Sequence, residues 1–126
     1  MAYIWSKVCF TGKIPKDQLY TFYQIADAGT LPSFSEQCSY VGIEMLMHGL
    51  PWIGTNSSGL KEMVDGLYCL PLNEEGEDLT LSTELLSQWL IEILKQPRPA
   101  EFRNRFEKYY TLSTLKENLY SIYSKF

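Results

Sequence analysis

Three cysteines, one histidine and no surplus of positive charge in 126 residues remove several classes of protein at once. The cysteines are Cys9, Cys38 and Cys69, an odd number without paired metal spacing. That usage fits a reducing, cytoplasmic compartment better than a disulfide framework. With His48 as the single histidine, a structural zinc site has too few ligands. The formal charge of −4 argues against non-specific nucleic-acid binding. No apolar run is long enough to span a bilayer, and the first residues lack a signal peptide's charged-then-apolar order. Internal repeats and low-complexity linkers are absent as well.

What remains is the composition of one globular domain, with 45% hydrophobic and 14% aromatic residues. Val8-Cys-Phe-Thr11 reads as a short buried strand closed by Gly12, with Cys9 and Cys69 both placed in the core. Pro15 and Asp17 suit the start of a helix, and Leu19, Phe22, Tyr23 and Ala26 repeat at i, i+3, i+4, i+7, which predicts an amphipathic helix over 16–26. Ala28 to Leu31 reads as a second strand. Cys38 to His48 is apolar nearly all round, which predicts a helix buried on both sides, ended by Gly49 and Pro51. A strand over 52–55, a short helix over 59–64 and a strand over 67–70 follow. Asn73 to Asp78 reads as a solvated acidic loop. Leu85, Leu86, Trp89, Leu90, Ile93 and Leu94 mark a strong amphipathic helix, stopped by Pro97 and Pro99. A helix over 101–110 comes next. A last helix, capped by Ser113 or Thr114, carries Leu115, Leu119, Ile122, Tyr123 and Phe126 on one face. The stripe of Tyr110, Tyr120, Tyr123 and Phe126 is either core or a surface that packs on something else.

Strands alternating with helices on short loops imply parallel pairing and an α/β layered fold. Ligands of such sheets bind beyond the carboxyl ends of the strands. Three polar turns follow predicted strands: Gly12 to Pro15, Ser33 to Glu36, and Thr55 to Gly59. Between and around them lies Pro32 to Gly59, where Glu36 and Glu44 stand with seven residues between them. With a helix starting near Cys38, Glu36 precedes its N-terminus, and Glu44 lies nearly two turns in, on the side of Tyr40 and His48. A helix N-terminus suits a phosphate, and a carboxylate suits a pair of sugar hydroxyls. Glu36 and Glu44 are thus candidates for binding two hydroxylated parts of one ligand. The competing reading is a capping box, Ser33-x-x-Glu36, with Glu44 on an ordinary solvated face.

Five ordered motifs go further: Val8-x-Phe-Thr-Gly-x-Ile-Pro15, Leu19-x-x-Phe-Tyr-x-x-Ala-Asp27, Pro32-Ser-x-x-Glu36, Ile43-Glu-Met-Leu-Met-x-Gly-x-Pro51 and Gly59-x-x-Glu62. Together they resemble the retaining nucleotide-sugar glycosyltransferases of the E-x(7)-E type (group 1, or family 4), which have two Rossmann-like domains in the GT-B architecture. The resemblance covers about Val8 to Leu72, and loosely the C-terminal helices from about 82 to 126. It implies a Rossmann-like parallel sheet with flanking helices, truncated on its N-terminal side. It implies catalytic roles for Glu36, on the donor sugar, and Glu44, on the ribose hydroxyls. Donor-binding positions would be Ile14 and its turn beside the base, Ser33, and Gln37, Cys38, Ser39 and Tyr40, these four along the sugar and pyrophosphate, together with Glu44. The resemblance implies a hexosyltransferase that takes its nucleotide-sugar as substrate, with no cofactor and no bound metal.

Two features depart from that family pattern. Gln37-Cys38-Ser39 replaces the usual Gly-Phe-Gly after the first glutamate, which changes how the backbone approaches the sugar and leaves donor choice open. The region that supplies the family's diphosphate-clamping Arg and Lys has no counterpart, and Lys13 and Lys16 do not occupy its place. The expectation is therefore a C-terminal, donor-binding fragment, inactive or nearly so alone. Its partners would be the nucleotide-sugar, a missing N-terminal acceptor domain, which could also bring peripheral membrane association, and a second copy of the chain through exposed strand edges. Missing strands would leave a gap beside the Val8 strand, which must then pair with the Ala28 strand or with another copy. A non-catalytic nucleotide-binding or partner-docking module of the same fold is the alternative.

Overall fold

The structure is a computed structural model and describes residues 6–126. In chain order its elements are α1 (Lys16–Ile25), β1 (Gly29–Leu31), α2 (Tyr40–Met47), β2 (Trp52–Thr55), α3 (Ser58–Val64), β3 (Cys69–Leu70), β4 (Leu72–Glu75), β5 (Asp78–Leu81), α4 (Thr83–Leu94), α5 (Ala100–Tyr109) and α6 (Leu112–Tyr123). The α/β class expected from the alternating pattern is present. β1, β2 and β3 form a parallel sheet in that order, with Gly29 opposite Trp52 and Thr55 opposite Leu70. Each strand pair is joined through a helix, as parallel pairing requires.

β2 is the centre of the molecule, and all four of its residues are buried. Successive side chains of a strand point to opposite faces. Trp52 therefore enters a core with Tyr23, Met45, Leu46, Leu60, Met63, Val64 and Phe102, drawn from α1, α2, α3 and α5. Ile53 enters a second core with Leu70 and Ile93, closed by Leu85, Leu86, Trp89 and Leu90 of α4. Helices thus cover both sheet faces. Close backbone approach fixes their spacing: a Cβ on Gly42 would meet the Trp52 ring at 3.1 Å and Met63 Sδ at 2.9 Å.

Several expectations give way here. Val8 to Thr11 is not a strand but irregular, exposed chain, with Phe10 81% exposed and Cys9 exposed as well. An apolar run becomes a strand only where a neighbour satisfies its N–H and C=O groups, and among the described residues β1 pairs with β2 alone. The gap was expected between a Val8 strand and β1; with no strand at 8–11, neither expected pairing of that segment forms, and β1 is an edge of the described three-stranded sheet. Cys69 is half-buried, not core. Phe22 points outward, and Tyr20 packs toward the core instead. α2 is buried on one side only, through Gly42, Met45 and Leu46, while Tyr40 and Val41 are exposed.

The acidic segment 73–78 is not a loop. It belongs to the antiparallel β4–β5 hairpin, where Glu75 pairs with Asp78 and Gly76 takes φ 69° at the first turn position. Leu94 is exposed past the end of the α4 stripe. α6 starts two or three residues earlier than expected: Thr111 Oγ1 accepts from the Thr114 N–H at 3.2 Å. None of its residues is buried, so the core reading of its apolar face fails.

Candidate functional site

β1 and β2 run parallel, so the segments leaving them emerge at one sheet edge. The Ser33–Glu36 turn leaves β1, and the 56–57 turn leaves β2 and enters α3. The two are stitched together. Thr55 Oγ1 donates to the Ser33 carbonyl and lies 3.0 Å from Ser57 Oγ. The Gly59 N–H donates to the Glu36 carbonyl at 2.8 Å, and Ser58 Oγ reaches the same oxygen at 3.3 Å. Gly59 is the contact point: a Cβ there would lie within 3.0 Å of the Glu36 and Gln37 backbone, closer than real Cβ atoms come.

The capping box does not form. Ser39 caps α2, its Oγ accepting from the Gly42 N–H at 3.1 Å and its carbonyl from the Ile43 N–H at 3.1 Å. The helix thus begins two residues later than the sequence suggested, and Glu36 stands three residues ahead of its cap. Glu36, Ser33 and Ile14 are half-buried; Gln37, Cys38 and Tyr40 are exposed, and Ser39 is buried.

Glu44 is not on a solvated face. Its side chain is 15% exposed and is gripped from α1. Lys16 Nζ lies 3.3 Å from Oε1, and the Tyr23 hydroxyl donates to Oε2 at 3.2 Å. Tyr23 is itself buried, with ring centroids 6.4 Å from Tyr20 and 5.7 Å from His48. Burial, then the Glu44 charge, push the Tyr23 phenol up to about 12, so it stays a donor at any physiological pH. Tyr20 beside its ammonium, then Glu44, raise the pKa of the exposed Lys16. Burial, then the Arg103 charge, hold the His48 imidazole below its ordinary range. His48 closes α2 as its C-cap, so it is placed structurally.

The arrangement is an edge of ordered backbone, a helix start and a carboxylate of fixed orientation. A sequence profile agrees with it: that of the family described as "Glycosyl transferases group 1" matches residues 2–112. The chain belongs to this family. It is also 29% identical, over 126 aligned positions, to "Uncharacterized glycosyltransferase MJ1607" of Methanocaldococcus jannaschii, covering 92% of this chain and 30% of that protein. The chain thus spans less than a third of that relative's length. No solved structure matches it.

Within this glycosyltransferase fold the three polar turns have different fates. The Ser33 and Thr55 turns form one connected edge. Among the described residues no strand precedes the Gly12 turn, and Lys16 at the start of α1, just after that turn, reaches Glu44. Sequence reasoning missed the grip of Tyr23 and Lys16 on Glu44. Tyr23 lay in view within the second motif, but the helical stripe assigned it to the core, and both placements are correct: its ring is core and its hydroxyl is polar contact. Among the described residues no helix is long and apolar enough to cross a membrane.

Proposed function

We propose that the chain is the nucleotide-sugar-binding part of a retaining E-x(7)-E glycosyltransferase of GT-B architecture, and that its full-length parent transfers a hexosyl group. In this reading Glu44 accepts hydrogen bonds from the two ribose hydroxyls. Glu36 contacts the donor sugar from the turn that Gly59 holds. The pyrophosphate lies by the first turn of α2, where the N–H groups of Tyr40 and Val41 precede the intrahelical ladder. Those dipoles, with basic side chains, stabilise the charge on the departing diphosphate. Ser33, Gln37, Cys38 and Ser39 line the sugar, and Ile14 lies beside the base. The acceptor is bound by a domain outside this chain.

The observation that carries the reading is the state of Glu44. A carboxylate 15% exposed, with one oxygen on an ammonium and the other on a buried phenol, is held in one orientation. Calorimetric titration with UDP, GDP and ADP tests it. One nucleotide binds, and Glu44→Ala abolishes that binding while the circular dichroism stays that of a folded α/β chain. Absence of binding at millimolar nucleotide, or equal binding by Glu44→Ala, refutes it.

One observation favours a partner-docking role beside nucleotide binding. α6 shows Leu112 (83%), Leu115, Leu119, Tyr120 and Tyr123 to solvent, an apolar face wider than scattered surface residues need.

A further inference from the structure

We propose that Tyr23 is a positioning residue that makes the site selective for ribose over 2′-deoxyribose, by locking the Glu44 carboxylate in the plane that a vicinal diol requires. The proposal rests on the reading that Glu44 binds the ribose, and goes beyond it by assigning how that selectivity arises.

The argument begins with lone pairs. An ionised carboxylate offers about four acceptor positions on two oxygens. Tyr23 takes one on Oε2 and Lys16 one on Oε1, so each oxygen keeps a position for a ligand hydroxyl. Two adjacent hydroxyls match two oxygens only if the carboxylate plane is fixed. A glutamate side chain left free on a helix must lose its rotamer freedom on binding, and one already held does not.

Lys16 and Tyr23 differ as holders. The Lys16 side chain is 69% exposed on a long flexible stem, and ion pairs of that kind are worth little. Tyr23 is 7% exposed, with its ring set among Tyr20 and His48 and its backbone within α1. Its hydroxyl therefore has nowhere to go, and the hydrogen bond to Oε2 transmits the rigidity of α1 to Glu44. The raised pKa of the phenol keeps that proton in place.

The test compares UDP, GDP and ADP with their 2′-deoxy counterparts on the whole chain, as wild type and as Tyr23→Phe. The phenylalanine keeps the ring between Tyr20 and His48, so the core is retained, and the melting temperature checks it. The wild type prefers the ribonucleotide by about tenfold or more, the scale of one hydrogen bond to a charged group. Tyr23→Phe brings that ratio close to one. A general loss of stability would weaken both nucleotides alike and leave the ratio unchanged, so the ratio reads positioning alone. A wild type that discriminates and a Tyr23→Phe variant that discriminates equally well would overturn the role of Tyr23 and leave ribose binding by Glu44 intact. A wild type that binds both nucleotides equally, or neither, would overturn the Glu44 reading and this inference with it.

Discussion

Replacing Gly59 by alanine sets two physical effects against each other, and the structure says which wins. Gly59 is the second residue of α3 and has no positive φ. By helix propensity alone, alanine stabilises such a position by about 1 kcal/mol. The new Cβ, however, falls within 3.0 Å of the Glu36 carbonyl oxygen and of the Gln37 carbonyl carbon and oxygen. These are backbone atoms, so no side-chain rotation relieves the overlap. Either α3 or the 36–37 turn must move, which costs about 1–3 kcal/mol as overpacking does. The same movement stretches the 2.8 Å bond from the Gly59 N–H to the Glu36 carbonyl, for about 1 kcal/mol more. The balance is a net loss of roughly 1–3 kcal/mol, a fall in the urea midpoint on the order of 1 M. Urea unfolding of Gly59→Ala beside Ser58→Ala is the assay. Ser58 is exposed and its Oγ makes only a 3.3 Å contact with Glu36, so its removal leaves the midpoint nearly unchanged. A Gly59→Ala protein as stable as the wild type, or more so, would refute the close approach of these two turns.

Two further outcomes follow from side chains away from that edge. Arg98 joins the ends of two helices: its guanidinium donates to the carbonyls of Tyr23, Gln24 and Ala26 at the end of α1 and to that of His48 at the end of α2. Arg98→Ala lowers stability by about 1–2 kcal/mol in chemical unfolding, and Arg98→Lys recovers only part of it, because an ammonium cannot reach four carbonyls in a fork. His48 sets an acid limit. Its folded-state pKa lies below the ordinary 6.5, owing to burial and then Arg103, and its Nε2 is buried without a partner. As pH falls through about 6.5 the unfolded chain takes up the proton first, so stability is full above that pH and declines below it, down to the folded-state pKa. Urea midpoints at about pH 7 and pH 5.5 show this decline, and His48→Gln removes its histidine part.

Much of this protein is legible in local pattern. Tyr23, Leu19 and Ala26 share a face because they recur at helical spacing, and α1 follows from that and from Pro15. Gly49, with φ 64°, and Pro51 end α2 where the sequence says it must end. The apolar run 52–55, bounded by turn residues, is the fully buried central strand, and its alternation with helices dictates parallel pairing and the α/β class. The two glutamates and their turns were visible for the same reason: spacing on a helix and residues at the ends of strands are properties of neighbouring residues.

Tertiary structure decided what depends on distant partners. Val8 to Thr11 has a strand's composition and, among the described residues, no strand beside it. The acidic segment 73–78 has a loop's composition, yet Gly76 turns it back and the flanking Leu72 and Leu81 pair across the hairpin. α6 has a core helix's periodicity and lies with that face open, because a hydrophobic stripe states that something should cover it without stating what. Glu44 is the clearest case. Its grip by Lys16 and Tyr23 joins residues more than twenty positions apart, brought together only when α1 and α2 dock on the same side of Trp52. Periodicity fixes which side chains share a face of one element. Which faces meet, and which polar atoms meet across them, is set by packing between elements.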